Sequence, residues 1–143
     1  MKRTLFIILL LSFKSYSQDI TGKWSVISYE DEIAYYNKTT DSLSYKNPAR
    51  KDEAESLKQK AELIFFSMSY TFNSNGKYVV DLPAVGETEN GDYKVDKKGK
   101  KIVMINDEGN KNELSYTYKD GILFIGMKMQ IGFIKLGLTK VSN

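Results

Sequence analysis

Three carboxylates, Glu87, Glu89 and Asp92, fall within the short stretch "GETENGD", and paired carboxylates are the main catalytic apparatus this composition permits. The chain has no histidine and no cysteine, which excludes Ser-His-Asp and Cys-His nucleophilic sites, histidine-based zinc or iron sites, and haem ligation through either residue. Two carboxyl groups at a suitable separation support glycoside hydrolysis. The stretch is nevertheless rich in turn formers, where solvated acids are expected, so catalysis is not expected there. A second acidic segment, Asp107-Glu108-Gly109-Asn110 with Asn112 and Glu113, lacks the spacing that converges alternate side chains on calcium and reads as a hairpin turn. Asp41-Ser42-Leu43 resembles a short bacterial O-glycosylation signal, a pattern three residues long.

What remains is aromatic. Tyr70, Phe72, Tyr78, Tyr93, Tyr116, Tyr118, Phe124 and Phe133 all fall on segments that read as strands, and together with Leu57 they are the candidate ligand-binding residues. Such rings either line a pocket or fill it. An eight-stranded barrel is just wide enough for packed side chains or one small ligand, and strands of about seven residues, roughly 23 Å, make it shallow.

The elements that carry these rings follow from periodicity. From Ser67 onward the chain alternates apolar and polar residues in short runs divided by turn residues, the pattern of an antiparallel all-β domain. Met68, Tyr70 and Phe72 alternate with Ser67, Ser69 and Thr71. Asn73-Ser74-Asn75-Gly76 then turns into Tyr78, Val80 and Leu82. Further strands are predicted over 90–95, 101–105, 113–118, 122–127 and 131–141, and with a first strand over 20–30 the total is eight.

Between the first two strands lies one long connection, 31–66. Asn47 suits a helix cap, Pro48 its first position, and Asp52 and Glu53 the positive end of its dipole. Ala54, Leu57, Ala61, Ile64 and Phe65 recur at helical spacing, so the segment from Pro48 to about Phe66 is predicted to be a helix with one face buried against the barrel. The expectation is that the Leu57 face covers the barrel's open mouth, the outer wall being the other placement. The polar run 37–47 reads as a loop.

Residues 1–17 read as a signal peptide: Lys2 and Arg3 precede an apolar run, Leu5 to Leu11, and Ser15-Tyr16-Ser17 offers small residues for cleavage. The run is shorter than the roughly 20 residues of a spanning helix. Of the 21 basic side chains, Lys2, Arg3 and Lys14 lie in this segment, and the rest balance the 18 acids. Residues 18–143 therefore form one neutral domain. The basic cluster at 97–101 contains Gly99 and reads as a turn, so no nucleic-acid footprint is expected.

Several segments together resemble the small secreted lipocalin-like domains of Gram-negative bacteria: "GKWSVISYE" in the first strand, "SYTFNSNGKYVV", "GDYKV", "YKDGILFI" and the terminal "LTKV". The resemblance implies an eight-stranded up-and-down antiparallel barrel with the helix inserted between strands 1 and 2. It also implies a structural pair: Trp24 closes one barrel end and Gly22 lets the backbone pass close to it. Lipocalins commonly stack an arginine over this tryptophan. Here the one arginine after residue 17 is Arg50, in the predicted helix, which leaves Lys135 or Lys140 for that place.

The function implied is an exported, monomeric, non-catalytic barrel, periplasmic or extracellular, binding a small apolar or amphipathic molecule without a cofactor. The alternative is a filled barrel whose loops contact an envelope protein or a glycan.

Overall fold

The protein, as a computed structural model, is described over residues 19–142. The expected signal peptide, 1–17, lies outside the described residues. Ten strands form one antiparallel sheet: β1 (Gly22–Glu30), β2 (Ala34–Asn37), β3 (Ser42–Tyr45), β4 (Ser69–Phe72), β5 (Lys77–Leu82), β6 (Glu87–Asp96), β7 (Lys101–Asn106), β8 (Lys111–Lys119), β9 (Ile122–Lys128) and β10 (Phe133–Lys140). β4 to β10 follow one another as neighbours, β1 pairs with β4, and β10 pairs back onto β1. That last pairing closes an eight-stranded up-and-down barrel and leaves its strands no free edge.

The expected loop at 37–47 is instead a hairpin. β2 and β3 pair from Ala34 with Tyr45 to Asn37 with Ser42. Local chemistry makes the turn: Asn37 Oδ1 accepts the backbone N–H of Thr39 and Thr40, and Asp41 takes a positive φ of 46°. The hairpin is joined to the barrel by a division of labour along β1. Its first residues, Gly22 to Ser25, pair with β4, whereas Ser28 to Glu30 pair with β2. Between these halves the register against β10 shifts, so that Ile27 is an extra residue. The Ile27 carbonyl accepts the Lys38 N–H at 2.9 Å. This bulge changes the inward parity of β1, so that Trp24, Val26 and then Tyr29 are buried.

The helix α1 (Lys51–Leu63) follows a 3-10 turn at Pro48–Arg50. Asn47 caps that turn, its Oδ1 accepting the Ala49 N–H at 2.9 Å, and Asp52 and Glu53 stand in the first turn of α1. The buried face of α1 consists of Ala54 and Ala61, and it rests on β2 and β3. This corrects the expectation that the helix packs on the barrel. Small residues at the contact let the helix approach the hairpin closely. A second 3-10 turn, Phe65–Ser67, carries the chain to β4. It couples the appendage to the barrel through Tyr29–Phe65 and Tyr36–Phe66 ring pairs at 4.8 and 5.3 Å.

The barrel interior divides into two halves. Around the start of β1, Trp24, Phe72, Ile102, Leu123 and Leu138 are almost wholly buried and fill the lumen. At the other end, where β5, β7 and β9 finish, the lumen is open.

Candidate functional site in the open half of the barrel

A solvent-open pocket of about 1010 Å³ takes in the open half of the lumen and also borders outward residues of β7 to β10. The strands' two-residue alternation supplies its inner wall, including Tyr70, Val80, Leu114, Tyr116 and Ile125 at inward positions. Methionine marks the site most clearly. Met68, Met104, Met127 and Met129, all four methionines of the described residues, border this cavity. Unbranched thioether side chains re-pack readily around different shapes, which makes such a wall adaptable.

One charged group interrupts the apolar wall. Glu89 lies opposite Val80 on β6, at an inward position of its strand, and borders the cavity half-buried. Tyr78 Oη donates to Glu89 Oε1 at 2.6 Å. Burial first, then this hydrogen bond and the nearby carboxylate charge, push the Tyr78 phenol above its ordinary range. Burial and the charge of Glu89 act in the same direction on Tyr70. Both phenols thus stay neutral at ordinary pH and present donors or ring faces, not charges.

The other charged residues at the cavity border, Lys101, Lys111, Glu113, Lys128 and Lys135, stand at outward positions of β7 to β10. Glu113 is paired with both Lys101 and Lys111, at 3.1 and 2.8 Å, which holds the carboxyl below the usual carboxylate range. Lys135 Nζ lies 5.0 Å from the centroid of the Phe124 ring.

The sequence-derived aromatic set is therefore distributed over three places. Tyr70 and Tyr116 line the cavity. Phe72 and Tyr78 are core residues, each 1% exposed, with Tyr78 reaching the site through its hydroxyl. Tyr93 packs its edge on Phe72 at 5.0 Å and donates its hydroxyl to the Asn73 carbonyl, and Tyr118 stands edge-on to Trp24 at 6.3 Å in the filled end. Phe124 and Phe133 border the cavity from the outer face, since Leu123, Ile125, Leu136 and Leu138 hold the inward positions of β9 and β10. Phe124 packs across Gly137, the residue it pairs with, where an added Cβ would stand 3.3 Å from its ring. Leu57 does not border the cavity.

Glu89 corrects a sequence expectation. Its stretch reads as a turn, yet the turn is made by Pro83–Val85 with Gly86 at φ 69°, and Glu87 already begins β6. Parity counted from the inward Gly91 would have placed Glu89 inside.

At the filled end, Trp24 is 1% exposed and its indole N–H donates to the Ile20 carbonyl at 2.7 Å. Gly22 takes a φ of 126° beside it. Among the described residues no group of His, Cys, Asp and Glu is arranged to hold a metal, and no helix is long and apolar enough to cross a membrane.

The geometry defines a closed eight-stranded antiparallel barrel with one helix, compatible with a calycin-like fold. No family model matches the chain, and no curated protein does. A solved structure of a DUF4847 family protein from Bacteroides vulgatus is similar, with a TM-score of 0.52 and 16% identity over 85% of this chain and 95% of that one. At that identity the likeness shows the fold alone.

Proposed function

We propose that this chain is an exported lipocalin-like barrel that binds a small apolar or amphipathic molecule in the cell envelope without chemical conversion. The observation that carries the reading is the pocket of about 1010 Å³ that takes in the open half of the barrel. It exceeds the roughly 300 Å³ at which pockets begin to hold small ligands. Its methionine and aliphatic wall suits an alkyl or aromatic body, and on the lumen side it carries one charged group, Glu89, held by Tyr78. Export rests on the signal-peptide pattern of residues 1–17.

The test uses the methionines as reporters. With ¹³C-methyl methionine, saturation with the neutral probe N-phenyl-1-naphthylamine should shift the signals of Met68, Met104, Met127 and Met129 while the Trp24 indole signal stays in place. Unmoved methionine signals at saturating probe would refute the reading. For export, N-terminal analysis of protein from its host should find Gln18 or Asp19 first, and a chain retained from Met1 would overturn that part.

One observation favours the alternative, a barrel whose loops contact an envelope protein or glycan: Ile131 is 90% exposed at the β9–β10 turn, next to the half-exposed Met129. An Ile131→Ser variant that lost a partner while keeping probe affinity would support that role.

A further inference from the structure

We infer that the ligand of this cavity is a cationic amphiphile, with its ammonium group held at Glu89 and its apolar body among the methionines. This rests on the cavity being a binding site and adds the chemical class of what it takes. Glu89 is the one charged residue at an inward position among those bordering the cavity. Among the described residues no ion pair reaches it: those present engage Glu30, Asp41, Glu53, Asp92 and Glu113. Its protein partner is a neutral donor, Tyr78 Oη, at Oε1.

A half-buried carboxylate in an apolar wall is costly unless paired, and one hydrogen bond to one oxygen meets that need in part. An ammonium group entering the cavity completes it. A carboxylate or phosphate headgroup, by contrast, would meet like charge with no inward lysine or arginine to neutralise it. The lysines at the border face outward, and Lys101 and Lys111 already share Glu113. Tyr70 and Tyr116 line the same wall, and aromatic rings attract a nearby cation but not an anion. Oppositely charged ligands of equal chain length are therefore discriminated by the headgroup alone.

The experiment is calorimetric titration of the purified domain at pH 7 with decylammonium, decanol and decanoate, each kept below its micelle concentration. Decylammonium should bind at least about tenfold more tightly than decanoate, with decanol between them. In Glu89→Gln, which keeps an acceptor for Tyr78, the three affinities should fall within about threefold of one another. Decanol binding with decanoate equal to or tighter than decylammonium would overturn the inference and leave the cavity reading standing. Binding of none of the three would overturn both. Undiminished cation preference in a folded Glu89→Gln variant would also overturn it. The wild-type comparison decides the matter without the variant if the substitution prevents folding.

Discussion

Lys140 lies over the indole of Trp24, its Nζ 5.7 Å from the ring centroid, in a slot that Gly22 leaves open. A Cβ on Gly22 would stand 2.6 Å from Lys140 Cε. Register explains the meeting: Trp24 is paired directly with Lys140 where β10 closes the barrel onto β1. The Gly-x-Trp opening of the first strand thus serves three linked purposes. The tryptophan fills the end of the lumen, its N–H is satisfied by Ile20, and the glycine admits the cation that covers it. A lysine occupies the place that the family resemblance gives to an arginine, without a planar guanidinium to stack.

Gly22→Ala should consequently destabilise the domain by about 1 to 3 kcal/mol, mostly from forcing a side chain into a positive-φ conformation. Part of the loss should come from expelling Lys140. In a Lys140→Ala background the same change should cost less, by about 0.5 to 1 kcal/mol, the usual worth of a solvent-accessible cation–π contact. Urea denaturation followed by the emission of Trp24 measures all four proteins. Strict additivity would show that Lys140 gains nothing from the slot.

Tyr29, Tyr36, Tyr70 and Tyr78 define the alkaline limit of stability. Burial is the leading cause in each, and for three of them hydrogen bonds to carboxylates add to it: Tyr29 with Asp31, Tyr36 with Glu62 and Asp41, and Tyr78 with Glu89. All four phenols are raised above the ordinary value of about 10. The folded state therefore holds protons that the unfolded chain releases, so this contribution is full below pH 10 and is lost as the pH rises above it. Phenolate absorbance at 295 nm should show a cooperative step that coincides with loss of the near-ultraviolet circular dichroism. Smooth, reversible ionisation of all nine tyrosines of residues 18–143 with the dichroism intact would contradict the assignment.

Most strands of the barrel are legible in the sequence because apolar and polar residues alternate along them and they end at glycine, asparagine or aspartate turns. Two things were not. The β2–β3 hairpin has strands of four residues, too short for periodicity to register, and β3 is largely exposed, so its composition resembles a loop. The face of Phe124 is also illegible locally. In Ile122-Leu123-Phe124-Ile125 both parities are apolar, and only pairing with the inward Leu136 and Leu138 of β10 decides which set faces the lumen. Cross-strand register is long-range information, whereas Glu89 was within reach of local parity once its turn-like stretch is read as the start of β6.

The helix supplies the last prediction. α1 rests on the β2–β3 hairpin and Leu57 stands apart from the cavity border, a placement that argues against a lid. Leu57 is only partly buried, so in Leu57→Arg the long side chain can carry its charge to solvent while its methylenes keep some of the contact. Stability should fall by about 1 kcal/mol or less, and the dissociation rate of N-phenyl-1-naphthylamine should be unchanged. The interface itself is at Ala61, which is 1% exposed. Ala61→Leu adds volume where helix and hairpin touch and should cost about 1 to 3 kcal/mol. Its effect should spread to the polar cluster at the same seam, where Tyr36 Oη lies 2.8 Å from Glu62 and 2.9 Å from Asp41, and Lys58 reaches Asp41 at 3.1 Å. Phe66→Ala removes the ring that joins the seam to Tyr36 and should cost the most, about 3 to 5 kcal/mol. Stopped-flow probe release and urea denaturation of the three variants test the order. Faster release in Leu57→Arg at unchanged stability would place the helix over the mouth after all, and equal losses in all three would mean that the appendage and barrel form one undivided core.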